Sequence, residues 1–454
     1  MAEAQSALLY TDEGWYSGAA MHRFQTGHWL TEGDYNPAVL MPVCDIIKFT
    51  VFKTFGFGIV SARLTTLFFF FLLALCLFFI IKKFYSSMVA LASVLYLMTN
   101  FYTFSWSRLA TLDIPMAAIS ALSLLIAISF SNAPALAITI FSAIVFVFSV
   151  LTKTTAIFTI PAILYVISTR QKYLNNRVTH GLIFCLIVGM LLLAYYSWAQ
   201  STFPADFRFV KDLVQTSRLE LQPLLILKRF ARSLLKPFVV DWLVYPTLLI
   251  ISALFFILRK EFRNDRAVRV SFVWILSCAL CLASSPYSPP RYYTLFIVPI
   301  LLLFSKIFSL AFQERRKRRD HFIFATVFIV VLGIGTIRIV AYITAPKYSY
   351  IEMATGIKKH LDDSLIQPPV VLGDLAPSLG LVIAPITPIS IIGSKPLSWK
   401  IDQLNPTYFI SLGESADEIR MLSHYYLIEK LASYDVFDNY AGNRVFFYRL
   451  TRKN

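Results

Sequence analysis

The sequence predicts an α-helical polytopic membrane protein closed by a C-terminal extracytoplasmic α/β domain. Three observations carry that reading. Of 454 residues, 57% are hydrophobic and only 15% charged, with a mean hydropathy of +0.64, whereas soluble domains carry about 25% charged residues. The apolar residues fall in long uninterrupted runs, which a 51.7 kDa chain does not need in order to fold in water. After about residue 343 the runs give way to short strand- and helix-like stretches with balanced charge. Together these exclude a cytosolic globular enzyme, a disordered tail and a disulfide-stapled secreted domain.

About ten spans are expected, near 59–81, 86–104, 114–130, 134–151, 154–169, 180–198, 243–258, 270–285, 292–310 and 321–343. Basic residues crowd alternate loops: Lys82-Lys83, then Arg170, Lys172 and Arg177, then Arg259 to Arg269, then Arg315 to Arg319. By the positive-inside rule that side is cytoplasmic. The first loop (10–58), the segment 199–242 and the tail from 344 then lie outside. An outside first loop calls for an upstream helix before Thr11, or for reversed insertion of the span at 59–81. The net charge of +16 invites a nucleic-acid partner, but its placement argues against one. Residues 344–454 hold 11 Lys/Arg and 11 Asp/Glu, so the whole excess belongs to the membrane module, residues 1–343, where it sets topology and meets phosphate. Of five Cys only Cys44 lies in an outside loop, which leaves no external disulfide and no metal-ligand spacing.

The outside segment 199–242 repeats Phe207, Val210, Leu213 and Val214, then Leu227, Phe230 and Leu234, at helical spacing, with Lys211, Arg218, Lys228, Arg229, Arg232 and Lys236 between them. The pattern fits a basic amphipathic helix, either lying in the membrane interface among lipid headgroups or packed on its own bundle. The tail, 344–454, predicts a helix over 351–361 and strands at 370–372, 389–392, 408–412 and 444–450, with a helix over 416–431 between the last two.

A carboxylate near membrane depth is a functional candidate by default. Asp12-Glu13 opens the first loop, and Asp113 sits at an outer mouth in Arg108-Leu109-Ala110-Thr111-Leu112-Asp113-Ile114-Pro115, where it also suits a helix cap. Arg63, Arg108, Lys153 and Arg291 fall on the same outer side, away from the cytoplasmic clusters. Cations there are candidate phosphate ligands beside the acids, since Arg and Lys hold phosphate oxygens by charge-assisted hydrogen bonds. Trp15, Tyr16 and His28 are the candidate substrate-binding residues; the aromatic rings either stack on sugar or sit in an interfacial belt. His22 and His28 could ligate a divalent metal, but a spacing of six on an irregular loop does not indicate one, and no cofactor is assigned.

Thr11-Asp12-Glu13-Gly14-Trp15-Tyr16, Ala19-Ala20-Met21 and Gly27-His28-Trp29-Leu30 resemble the first external loop of polyprenyl-phosphate-sugar glycosyltransferases of the C-type fold. The closest groups are the protein O-mannosyltransferases and the aminoarabinose lipid A transferases. Tyr35-Asn36-Pro37 through Pro42, Phe55-Gly56 and Arg63 keep the family's order, as do Arg108…Asp113-Ile114-Pro115, Leu151-Thr152-Lys153 and Pro290-Arg291-Tyr292-Tyr293 with Pro299. The chain departs from the family in showing Val39-Leu40-Met41-Pro42 where a Lys-Pro-Pro is usual. The resemblance implies a sugar donor linked through phosphate to a polyprenol, an acceptor that is a glycolipid, glycan or protein, and inverting displacement with Asp12 as general base. Asp113 would position acceptor or sugar, or share the base role, and Lys153, Arg63 and Arg291 would neutralise the departing phosphate. A secondary transporter or lipid-handling membrane protein is the alternative; a transporter usually shows inverted repeats and broken helices at the midplane, and neither is visible here.

Overall fold

The computed structural model describes residues 11–129, 134–170, 173–215, 223–240, 252, 259–284, 289–311, 318–344, 350–361, 368–383, 385–413, 416–438 and 441–453. The expected span at 243–258, all but Ser252, lies outside them, as do 285–288 and 312–317.

The first loop is not irregular. It folds as α1 (Thr11–Trp15), α2 (Gly18–Thr26), a 3-10 turn (Pro37–Val39) and α3 (Val43–Phe55). Gly56 and Gly58, both at positive φ (89° and 147°), turn the chain from α3 into the first long membrane helix, α4 (Ile59–Phe84). Phe68, Phe71 and Leu75 of α4 face outward, while Phe69, Leu73 and Leu77 are buried, so one side meets lipid and the other the bundle. Lys82 and Lys83 close its last turn, where cations oppose the helix dipole.

The next expected span is broken. Its two pieces, α5 (Ser87–Thr99) and α6 (Phe101–Ser107), meet at 67° because Asn100 stops one helix and caps the other, its Oδ1 accepting from Thr103 N at 3.0 Å. Then follow α7 (Asp113–Ser129), α8 (Ala135–Thr152), a 3-10 turn (Thr154–Thr159), α9 (Ile160–Arg170) and α10 (Leu174–Thr202). Hydroxyl pairs join the buried faces: Ser120 with Ser149 at 2.7 Å, Ser123 with Ser142 at 3.0 Å and Ser93 with Ser305 at 2.7 Å. Small polar residues of this kind let membrane helices approach closely. Farther on come helices Arg266–Ala283, Ile297–Ala311 and Arg318–Thr344. Among the described residues, five helices are long and apolar enough to cross a membrane, or six with the bent pair, and three shorter apolar helices stand beside them. This is a multi-pass membrane protein.

The segment after α10 resolves the two alternatives left by its pattern differently in its two halves. Helix α11 (Pro204–Gln215) packs on the protein itself: Phe207 and Val210 are buried with Tyr16, Val39 and Leu112. Helix α12 (Pro223–Val240) rests Phe230 against the bundle and leaves Leu224 and Leu227 exposed. Arg218 lies outside the described residues.

The tail forms a five-stranded sheet in the order β2-β1-β3-β5-β4, from β1 (Val370–Leu372), β2 (Thr387–Ile389), β3 (Tyr408–Leu412), β4 (Tyr426–Asp438) and β5 (Ala441–Arg452). β1 runs parallel to β2 and β3; β3, β5 and β4 are antiparallel. Two expectations fail. The strand expected at 389–392 lies earlier, at Thr387–Ile389, with Ser390 to Ile392 outside it. The helix predicted over 416–431 ends at Ser423, and Tyr426 onward is strand β4, paired with β5 from Tyr426↔Arg452 to Asp438↔Ala441. Aromatic and branched residues at Tyr425, Tyr426 and Ile428 favour a strand once a partner is present, and that partner lies beyond the window a helical pattern samples.

Candidate active site

Helix α1 has three working sides. Asp12 and Tyr16, four apart, share the side that faces the bundle. Tyr16 N donates to Asp12 O at 2.8 Å. Asp12 pairs with Arg291, which a 3-10 turn (Pro290–Phe296) presents; Tyr102 Oη donates to Pro290 O at 2.6 Å and holds that turn. Asp113, at the start of α7, pairs with Lys153, the residue that ends α8. The two ion pairs adjoin, since Lys153 and Asp113 both act electrostatically on Asp12. The Tyr292 ring lies 4.7 Å from Lys153 Nζ and 5.7 Å from the Arg291 guanidinium carbon, a cation–π bed for both. Asp113 is 0%, Lys153 3%, and Asp12 and Arg291 each 6% exposed. Two acids and two cations are thus closed off together at one end of the bundle. Burial pushes the Asp12 carboxyl above the ordinary aspartate value, against the lowering pull of Arg291 and then Lys153. Burial, then Asp12, also hold the Tyr16 phenol protonated well past its usual range.

Glu13 points the other way. Its carboxylate takes Arg63 in a bidentate pair, Nε and Nη2 each at 2.9 Å, and accepts from Ala110 N at 2.6 Å. Arg63 is therefore drawn to Glu13 rather than to the Asp12 cluster. Arg108 is half-buried, its guanidinium 4.5 Å from the Tyr342 ring. His28 is exposed, and its carbonyl accepts from His22 Nδ1 at 2.8 Å. Among the described residues no group of three or more His, Cys, Asp or Glu stands close enough to hold a metal ion.

The third side of α1 meets the C-terminal α/β domain. Gly14 N donates to Ser378 Oγ at 3.2 Å and Trp15 Nε1 to Ser390 Oγ at 3.2 Å, while the Trp15 ring stands edge-on to Tyr35 at 5.4 Å. A Cβ on Gly14 would lie 2.2 Å from Ser378 N, so only glycine fits. A cavity of about 70 Å³ opens beside this contact, lined by Trp15, His22, Tyr35, Asn36 and Ser390 among others.

Four residues that composition and spacing did not single out shape the site. Asp34 accepts from Tyr35 N and Ser390 N and faces Lys400 Nζ at 3.4 Å; burial, against Lys400, raises its carboxyl to about 6. Asp45 and Lys48 lie on the inner face of α3. Burial raises Asp45 to about 7 and lowers Lys48, each opposed by the other's charge. The one signal in the sequence was a lysine three residues after an aspartate in an otherwise apolar run.

No curated protein matches this chain by sequence. The model of the dolichyl-phosphate-mannose-protein mannosyltransferase family matches residues 41–198, a stretch that contains Arg63, Arg108, Asp113 and Lys153. The crystal structure of ArnT from Cupriavidus metallidurans in the apo state superposes with a TM-score of 0.63 at 14% identity, covering 98% of this chain and 94% of that one. ArnT bound to undecaprenyl phosphate gives 0.62 at 13%, over 98% and 95%. The archaeal oligosaccharyltransferase AglB from Archaeoglobus fulgidus, in complex with an inhibitory peptide and a dolichol-phosphate, gives 0.50 at 12%, over 93% and 69%. The chain has the fold these proteins share, the C-type glycosyltransferase fold, carried through the membrane bundle and into the terminal domain.

Proposed function

We propose that this chain moves a sugar, a hexose or pentose, from a polyprenyl-monophosphate carrier to an acceptor at the extracytoplasmic face of a bacterial inner membrane. One observation carries the reading: Asp12, Asp113, Lys153 and Arg291 form a single buried cluster at one end of the bundle. The ArnT structure with undecaprenyl phosphate and the AglB structure with dolichol-phosphate support a carrier of this class. The acceptor is a hydroxyl or amine of a glycolipid, glycan or protein.

In the transfer the acceptor's oxygen or nitrogen attacks the anomeric carbon from the face opposite the phosphate. The bond from that carbon to the phosphate oxygen breaks, and its electron pair leaves with the polyprenyl phosphate. Asp12 takes the acceptor's proton, a task that needs a carboxylate within hydrogen-bond reach of the nucleophile. Lys153 and Arg291 meet the charge that grows on the phosphate, the larger electrostatic demand. Asp113 orients Lys153 and the sugar. A single base suffices, because the leaving group is already a weak base and needs no acid, unlike the leaving alcohol of a glycosidase. Glu13 and Arg63 hold the loop, and Tyr16, with its phenol beside Asp12, faces the sugar.

The test supplies purified protein in nanodiscs with polyprenyl-monophosphate hexoses and pentoses and follows free polyprenyl phosphate. Release that depends on added acceptor is expected, as is accumulation of unused carrier-linked sugar in membranes lacking the gene. If no such sugar releases its carrier and the membrane pools are unchanged, the reading fails.

A further inference from the structure

We infer that Lys48 is a positioning residue for the transfer: one buried ammonium ties the segment that carries Asp12 to the segment that carries Asp113. The inference rests on the sugar-transfer reading above.

Helix α3 has two unlike faces. Ile46, Thr50 and Lys53 are exposed, whereas Cys44, Asp45, Lys48 and Phe52 are buried. A lysine on the buried side would be unfavourable unless every proton found a partner. Lys48 Nζ has three donors, and three acceptors surround it: Tyr16 O at 2.7 Å, Ser17 Oγ at 3.0 Å and Ala110 O at 2.9 Å. Asp45 balances its charge and accepts from Ala20 N at 3.2 Å. Glu13 and Cys44 are the other titratable groups that act on it.

The three acceptors come from two places. Tyr16 and Ser17 end the turn of α1 that displays Asp12, and Tyr16 N is bonded to Asp12 O. Ala110 lies three residues before Asp113, and both of its backbone groups are taken from the first loop, N–H by Glu13 of α1 and C=O by Lys48 of α3. The spacing of the two acids is thus set through backbone and hydroxyl groups next to them in the chain. Neither Lys48 nor Asp45 is paired with the four clustered charges. A hydrophobic side chain of the same length would fill the space and leave three oxygens unpaired.

The experiment compares wild type, Lys48→Met and Lys48→Arg in nanodiscs, with the exposed Thr50→Ala on the same helix as control. Release of polyprenyl phosphate gives kcat and KM, and direct binding of polyprenyl monophosphate gives Kd. For Lys48→Met, kcat should fall about 10- to 100-fold, the scale of a misplacement near 1 Å, while Kd changes less than about threefold because the phosphate cations are untouched. Lys48→Arg, which keeps charge and donors, should recover some of the loss, and Glu13→Gln added to Lys48→Met should cost less than the two separate losses multiplied. Wild-type kcat in Lys48→Met, or an equal loss of kcat and polyprenyl phosphate binding, overturns the inference. If Lys48→Met does not fold, Ser17→Ala removes one acceptor and must still lower kcat at unchanged Kd; wild-type kcat there overturns it. A wild type that releases no carrier from any sugar donor sinks the sugar-transfer reading instead, whatever the variants do.

Discussion

Two buried lysine–aspartate pairs flank the first loop, and they differ in what surrounds the lysine. Lys400 Nζ reaches Asp34 at 3.4 Å but also donates to Ser390 O at 2.6 Å, Ile392 O at 2.9 Å and Ile391 O at 3.4 Å. Its protons are spent on backbone that belongs to the C-terminal α/β domain. Lys153 Nζ has one hydrogen-bond partner among the described residues, Asp113 Oδ1, and otherwise faces the Tyr292 ring. Asp113 Oδ2 likewise lacks a hydrogen-bond partner among them. A buried cation saturated by carbonyls fixes a structure, whereas one that keeps donors in reserve can receive an anion. The first pair joins two domains; the second belongs to the proposed chemistry.

The sharpest way to break that contrast is to remove charges from each side. Asp12→Asn should lower transfer about 10²- to 10⁴-fold, the range for a general base, while polyprenyl monophosphate still binds. Wild-type-like turnover would refute Asp12 as base. Lys153→Met should reduce kcat about 10²- to 10³-fold, the scale of losing one donor to developing negative charge, and weaken polyprenyl phosphate binding with it. Lys400→Met should do the opposite. Stranding Asp34 and three carbonyls costs about 3–5 kcal/mol of stability, read as a lowered Tm, yet the folded fraction should turn over normally. If the two lysine variants fail in the same assay, the distinction between them is wrong.

Much of this was legible beforehand, for identifiable reasons. Long apolar runs report membrane helices directly, because lipid demands them wherever they occur. Asp12, Asp113, Lys153 and Arg291 stood out because charge is rare in such surroundings, and the fold gathers all four. Arg63 and Glu13 looked equivalent to their neighbours because a sequence does not display the rotation of about 100° per residue around a short helix: Glu13 turns its carboxylate to Arg63 while Asp12 turns to Arg291. Asp34 and Lys400 are separated by 366 residues, so no local pattern could join them. β4 was misread for the same reason, since its identity depends on pairing with β5 rather than on its own periodicity.

Acidity sharpens the comparison further. Asp34 titrates at about 6 in the folded protein, against an ordinary value of 3.8. Between those values the folded state holds a proton that the unfolded chain has released, so stability falls as pH rises through the window and the penalty is complete above about 6. The total is about 3 kcal/mol for a shift of roughly two pH units. Asp34→Asn cannot titrate. The difference in unfolding free energy between wild type and this variant should therefore change from pH 4 to pH 6.5 in the variant's favour. A constant difference would mean that Lys400 keeps the carboxylate ionised throughout.

Two glycines of the first loop give the smallest test of which surfaces are fixed. A Cβ on Gly14 would stand 2.2 Å from Ser378 N and 2.4 Å from Pro377 C. Both are backbone atoms, so neither can yield by changing rotamer. Gly14→Ala should push α1 off the C-terminal α/β domain at about 1–3 kcal/mol, typical of overpacking, and Asp12 should move with it, lowering kcat as well as Tm. A Cβ on Gly18, four residues later at the start of α2, meets nothing within 4 Å. Gly18→Ala should be neutral or stabilise by about 0.4–1 kcal/mol through the unfolded chain, with kcat unchanged. Gly14→Ala with normal kcat would show that the C-terminal α/β domain can lift from α1 without disturbing the acid, and that the bundle alone, through Arg291 and the Lys48 brace, holds Asp12 in place.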